Sequence, residues 1–98
     1  MSTSPTPPRG YTATKDQLLA RLRRIEGQIR GIEGMVQDER YCIDVLTQIS
    51  AAQAALDKVA LGLLDGHAHM CVIGAEPDQQ DERTEEMMAA VGRLLRRG

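Results

Sequence analysis

Three side chains in this sequence have the chemistry of a metal site: the thiols of Cys42 and Cys71 and the imidazole of His67. His67 and Cys71 are four positions apart, so on a helix their side chains lie one above the other on the same face. Two thiolates with one imidazole suit Cu(I), because soft sulfur ligands select that ion, whereas Zn(II) usually takes a fourth ligand. The alternative is two structural cysteines and a surface histidine.

These residues lie along one segment, residues 41–71, for which the pattern predicts a single long helix. Its apolar residues recur at steps of four and three, which is the period of a helix face packed on other helices. Further apolar residues flank that stripe, so the helix must be covered on more than one side. The stripe consists of Val45, Ile49, Ala52, Leu56, Val59 and Leu63.

The length of this helix separates the proposed ligands. At about 1.5 Å per residue, Cys42 lies roughly 37 Å from His67, whereas a metal–sulfur bond is about 2.3 Å. An intrachain disulfide between Cys42 and Cys71 is excluded for the same reason. An antiparallel copy of the helix would bring Cys42 of one chain to His67 and Cys71 of another, with two equivalent sites per dimer.

Two further helices are predicted around this segment. Thr14 followed by Gln17 resembles a capping box, and a helix is expected over 14–37 with the apolar stripe Leu18, Leu22, Ile25, Ile29, Ile32 and Val36. A short turn near 38–40 makes the first two helices antiparallel neighbours. A third helix is expected over 81–97, with inward-facing Met87, Met88, Val91, Leu94 and Leu95.

The composition fits one small all-α domain over 14–98, preceded by a disordered tail over 1–13 that is rich in Ser, Thr and Pro. The sequence contains no Phe or Trp, so the core is aliphatic. We find no signal sequence, membrane span or catalytic pattern, and we expect a cytoplasmic protein that is not an enzyme and does not bind membranes.

The net charge of −2 gives no general preference for a polyanion, so any DNA site must be a local basic patch. The first helix has such a side, which Lys58 of the second helix can join. These charges would contact phosphates, although a basic run on a helix is commonly a solvated face. The candidate DNA-binding residues are Lys15, Arg21, Arg23, Arg24, Arg30 and Lys58, with Arg9 as a weaker contact in the tail.

Taken together, the segments RLRRIEGQIRGIEGMV and YCIDVLTQISAAQAAL and the pair His67-x-x-x-Cys71 resemble the copper-sensitive operon repressor family. The resemblance covers about residues 14–97. It implies a bacterial, cytoplasmic repressor whose three-helix protomers form antiparallel dimers and then a disc-shaped homotetramer with a four-helix-bundle-like core. It also implies that the metal-free form binds double-stranded operator DNA and that Cu(I) binding releases the DNA to derepress copper-resistance genes.

The resemblance also assigns roles to individual residues. Its metal ligands correspond to Cys42, His67 and Cys71, and its outer-shell residues to Tyr41 and Glu86, with Glu85 as the neighbouring choice. Arg21 and Lys58 correspond to its basic DNA contacts. Nickel- and cobalt-sensing relatives are richer in histidine, and persulfide-sensing relatives lack the histidine ligand. Two alternatives stay open: a persulfide- or oxidant-sensing repressor using Cys42 and Cys71, and a copper buffer or chaperone without DNA binding.

Overall fold

A computed structural model describes residues 10–96, and every regular element within that range is helical. A 3₁₀ turn (Thr12–Thr14) leads into α1 (Lys15–Gln37) and α2 (Cys42–His67). A π-turn (Ala68–Ile73) continues directly from α2, and α3 (Gln80–Leu95) follows after a short loop. The predicted all-α class is therefore confirmed. None of the described helices is long and apolar enough to cross a membrane.

The chain forms two compact units, of which the first comprises residues 14–62. Within it, a Cβ atom placed on Gly62 of α2 would lie 3.2 Å from Leu18 Cδ2 near the start of α1. Ile25, further along α1, shares a groove with Ala55, which lies earlier in α2. The residue numbers thus run in opposite directions along the two helices, as the short turn between them predicted.

The turn between α1 and α2 closes through backbone hydrogen bonds. The N–H of Asp38 donates to the carbonyl of Gly34, and the N–H of Arg40 donates to that of Met35. Between them Glu39 adopts φ 55°, the left-handed conformation that ends many helices. This conformation reverses the chain within four residues, so that α2 begins at Cys42.

The start of α1 differs from its prediction. Thr14 is the N-terminal flanking residue, but its side chain makes no capping hydrogen bond to the first turn. Its φ of −114° and ψ of 13° belong to the preceding 3₁₀ turn, whereas a capping residue normally takes an extended conformation. The predicted capping box with Gln17 is therefore wrong, although the helix bounds agree to within one residue.

The end of α2 also differs from its prediction, because residues 41–71 are not one uniform α-helix. The α-helix ends at His67, and the backbone then widens into the π-turn. In that turn the N–H of Gly74 donates to the carbonyl of His69 at 3.1 Å, a hydrogen bond that spans five positions. A Cβ atom on Gly74 would lie 2.9 Å from the carbonyl oxygen of Met70, so a glycine suits this closing position.

The second compact unit contains the described residues 10–13 and 63–96. The predicted disordered tail covered residues 1–13, and residues 1–9, including Arg9, lie outside the described part of the chain. From Gly10 onward the structure differs from that prediction: Gly10 contacts the backbone of Gly66 and His67, and the 3₁₀ turn begins at Thr12. The contact with α2 supplies order that the composition of the segment did not indicate.

The core of the single chain is small. Its buried side chains among the described residues are Leu18, Ile25, Ala52, Val59 and Cys71. Several residues predicted to face inward are exposed instead, because none of the described elements covers them: Leu22, Ile29, Val36, Leu56, Leu63, Met88, Leu94 and Leu95. Large exposed apolar patches are typical of protein–protein contact surfaces.

Candidate metal centre and basic groove

His67 and Cys71 lie in consecutive turns at the end of α2. His67 is the last residue of the α-helix and is half-buried, and Cys71 lies in the π-turn with 1% of its surface exposed. The π-turn packs against α3. π-turns are rare and occur frequently at functional sites. The pair of candidate ligands therefore sits where the helix departs from regular geometry.

Cys42 is the first residue of α2 and is exposed. Because α2 is 26 residues long, its two ends are about 37 Å apart at 1.5 Å per residue. Within the described part of a single chain, no three His, Cys, Asp or Glu side chains form a group that could hold a metal ion. Tyr41, which precedes Cys42, is 67% exposed.

His67 and Glu86 line the same cavity, of about 280 Å³. Glu86 comes from α3, and its Oε1 atom lies 3.7 Å from Nη1 of Arg83, one turn earlier on the same helix. Glu85 does not line this cavity. The geometry thus favours Glu86 over Glu85 as the carboxylate near His67. The complete lining is Tyr11, Leu63, Leu64, His67, Glu86, Met87, Ala90 and Arg93.

The second histidine of the sequence, His69, lies in the π-turn and points to solvent. Its Nε2 atom is 3.5 Å from Oδ1 of Asp65, and both side chains are largely exposed. His69 does not line the cavity that contains His67, so the structure separates the two imidazoles.

A basic groove of about 480 Å³ lies between α1 and α2 within the unit 14–62. Arg21 and Arg24 line it from α1, and Lys58 lines it from α2, above a floor of small apolar side chains that includes Ala55. The structure therefore brings three of the predicted DNA-binding residues together. The other three, Lys15, Arg23 and Arg30, are exposed on α1 but do not line the groove.

Sequence reasoning missed three residues near the candidate metal centre. Tyr11 lies in a segment without helical periodicity, so no pattern indicated its contact with the end of α2. Arg93 lies in the last turn of α3, where a basic residue is common because it complements the helix dipole, so its type gave no sign of a place in the cavity. The pairing of Arg83 with Glu86 has a recognisable signal, because side chains three positions apart on a helix are neighbours.

Comparison with known proteins places these features in one family. Residues 14–93 match the metal-sensitive transcriptional repressor family. The copper-sensing transcriptional repressor RicR of Mycobacterium tuberculosis is 51% identical over 90 residues, which cover 89% of this chain and 94% of that protein. RicR is a transcriptional repressor and not an enzyme.

Two solved structures share the fold. The copper-sensing repressor CsoR with Cu(I) from Geobacillus thermodenitrificans NG80-2 is 43% identical with a TM-score of 0.77, covering 87% of this chain and 90% of that one. The nickel-responsive transcriptional regulator InrS is 40% identical with a TM-score of 0.69, covering 80% and 89%. From the family match and these likenesses, the chain belongs to the metal-sensitive transcriptional repressors.

Proposed function

We propose that this protein is a Cu(I)-responsive repressor that binds double-stranded operator DNA in its metal-free form and releases the DNA on binding Cu(I). The observation that carries the proposal is the placement of His67 and Cys71 in consecutive turns at the end of α2. Family membership supplies the repressor role. The copper-sensing names of RicR and CsoR support the choice of effector, and genes for copper resistance are the expected targets.

The proposed metal ligands are His67 and Cys71 of one subunit and Cys42 of another. The length of α2 supports an intersubunit site, because the thiol of Cys42 is about 37 Å along the helix from His67 of its own chain. The exposed position of Cys42 leaves its thiol available to a second chain, and the exposed apolar faces give that chain a surface to bury. We expect a homo-oligomer, either a dimer or a tetramer, in the cytoplasm.

The donor set fits Cu(I). Two thiolates and one imidazole are soft and borderline ligands, which select Cu(I) over harder ions, and burial of Cys71 keeps water from one ligand. Because InrS is nickel-responsive, Ni(II) is the competing effector to test. The single additional histidine, His69, lies outside the cavity of His67, which supports copper over a histidine-rich nickel site.

Glu86 and Tyr41 are the proposed outer-shell residues. A metal-bound histidine usually donates its second N–H group to an outer acceptor, whose loss typically costs 10–100-fold in metal affinity or activity. We therefore expect Glu86→Gln to weaken Cu(I) binding or Cu(I)-dependent DNA release by about 10-fold or more. Glu85→Gln is the matched control and should leave both near wild type. Equal effects of the two variants, measured by chelator competition and DNA titration, would contradict this assignment.

The basic groove is the proposed DNA contact. Arg21, Arg24 and Lys58 present their charges from two helices over one surface, which is the arrangement needed to follow a phosphate backbone. Lys15, Arg23 and Arg30 are proposed to extend the contact along α1. Because phosphate contacts dominate such binding, the affinity should fall steeply with salt concentration.

The experiment that tests the function measures binding of a labelled operator fragment to the reduced protein under anaerobic conditions. We expect tight binding without metal, and a 5- to 150-fold loss of affinity with one Cu(I) per chain, the usual range of allosteric coupling. Ni(II) and Zn(II) should cause smaller changes. A larger response to Ni(II) would make the protein a nickel sensor.

Two other outcomes would support the alternative functions. Release of DNA by a persulfide or an oxidant but not by Cu(I), with the response retained in His67→Ala, would indicate thiol sensing through Cys42 and Cys71. Tight Cu(I) binding with no operator binding at physiological salt would indicate a copper buffer or chaperone.

A further inference from the structure

The chain just before the 3₁₀ turn crosses the end of α2 in close backbone contact. A Cβ atom on Gly66 would overlap the carbonyl oxygen of Gly10 and would lie 3.5 Å from Cα of Tyr11. In the other direction, a Cβ atom on Gly10 would lie 3.0 Å from Cα of His67. Gly10 also has φ +86°, a conformation that favours glycine. Two glycines therefore allow this crossing, and either substitution would oppose it.

The crossing carries Tyr11 into the cavity that contains His67. Tyr11 and His67 are both half-buried, and both line that cavity together with Glu86 and Met87 of α3. The tyrosine and the imidazole thus border one shared cavity, together with side chains of α3. A bulky ring in this position restricts the conformations that the neighbouring imidazole can adopt, because packed side chains occupy few rotamers.

We propose that residues 10–13 form a strap over the end of α2 and that Tyr11, held by this strap, is a positioning residue for the imidazole of His67. The role toward metal rests on the function proposed above. A ligand whose conformation is already restricted loses less entropy on binding, so a seated strap favours metal binding. By reciprocity of coupled equilibria, metal binding must then favour seating of the strap by the same factor.

The strap itself is testable without metal. The bond between Arg9 and Gly10 is a trypsin site at the edge of the strap, and its cleavage reports how often the strap lifts. In the full-length reduced protein, Gly66→Ala should increase the rate of this cleavage about 3- to 10-fold. Alanine is the better helix former, so α2 is retained, which circular dichroism will verify.

Gly92→Ala is the matched control, because a Cβ atom there would meet only Arg96 Nη2 at 3.8 Å, an ordinary contact. Its cleavage rate at Arg9 should equal that of wild type. Equal rates for Gly66→Ala and Gly92→Ala would overturn the strap.

The positioning role has its own readouts. In the metal-free protein, the ring resonances of His67 should shift or broaden in Tyr11→Ala and should be restored in Tyr11→Phe, whose ring fills the same space. With Cu(I), Tyr11→Ala should weaken affinity about 3- to 10-fold in a chelator competition. Wild-type cleavage at Arg9 should slow by the same factor when Cu(I) is added.

The outcomes separate this proposal from the proposed function. If the wild-type protein binds no Cu(I), the copper function fails, while the cleavage and resonance measurements still decide the strap and the role of Tyr11. If Cu(I) binds tightly but His67 resonances and Cu(I) affinity are unchanged in Tyr11→Ala, the positioning role is overturned and the copper function stands.

Discussion

Replacement of His67 by alanine is expected to cause the largest loss of Cu(I) affinity of any single change outside the two cysteines. Loss of an outer-shell partner typically costs 10–100-fold in metal affinity, and removal of a direct ligand should cost more than that. The remaining thiolates of Cys42 and Cys71 would leave a two-coordinate site. A chelator competition measures the affinity, and X-ray absorption should show one nitrogen in the coordination shell of wild type and none in the variant.

The structure offers a matched control for this experiment in His69→Ala. His69 is two positions away in sequence, but it is exposed, pairs with Asp65 and does not line the cavity of His67. We expect its Cu(I) affinity and its absorption spectrum to match wild type. Wild-type affinity in His67→Ala, or equal losses in both variants, would rule out the proposed ligand set.

Replacement of Arg21 by alanine is expected to produce a large loss of DNA affinity, similar to the losses at the other two charges of the groove. A hydrogen bond to a charged group contributes about 1.5–3 kcal/mol, and each 1.4 kcal/mol is about tenfold in affinity. Since every subunit carries the change, a loss of at least tenfold is expected in metal-free operator binding. The slope of log affinity against log salt should also decrease by about one for each phosphate contact removed.

Two comparisons make the DNA result specific. Arg24→Ala and Lys58→Ala should show similar losses, because both side chains line the same groove as Arg21. Arg40→Ala removes an exposed charge in the turn between α1 and α2, and it should change the affinity little. Cu(I) affinity should be near wild type in all four variants. A loss in Arg40→Ala equal to that in Arg21→Ala would show that net charge, and not the groove, governs binding.

Most of the fold could be predicted from helical periodicity, and the departures have local causes. The stripes of α1 and α2 indicated both helices to within one or two residues, except at the C-terminal end of α2. There a π-turn replaces the α-helix. The sequence did not reveal it, because six residues are too few for a change in hydrogen-bond spacing to alter the apolar pattern. The absence of the predicted capping box at Thr14 and the contact of Gly10 with α2 both depend on backbone conformation, which the apolar periodicity does not indicate.

The residues of the candidate sites also fall into two groups, those that the sequence indicated and those that only the structure identified. The spacing of His67 and Cys71 was recognisable from helical geometry alone. The basic residues were predicted as a set of six, and only the structure shows that Arg21, Arg24 and Lys58 line one groove. The choice of Glu86 over Glu85 required the packing of α3 beside the end of α2, since adjacent residues on a helix cannot be distinguished by pattern when the preceding loop is irregular. The role of Tyr11 required a cavity shared with His67, which is 56 positions away in sequence.

The sparse core described above has a consequence for how the protein persists in a cell. A chain that buries only five side chains among its described residues gains little stability alone, so we expect folding and assembly to be coupled by mass action. Its melting temperature should then rise with protein concentration. A freshly synthesised chain would be open to proteases until it meets a partner, and the dissociation constant of the assembly would set the abundance below which the folded protein does not accumulate.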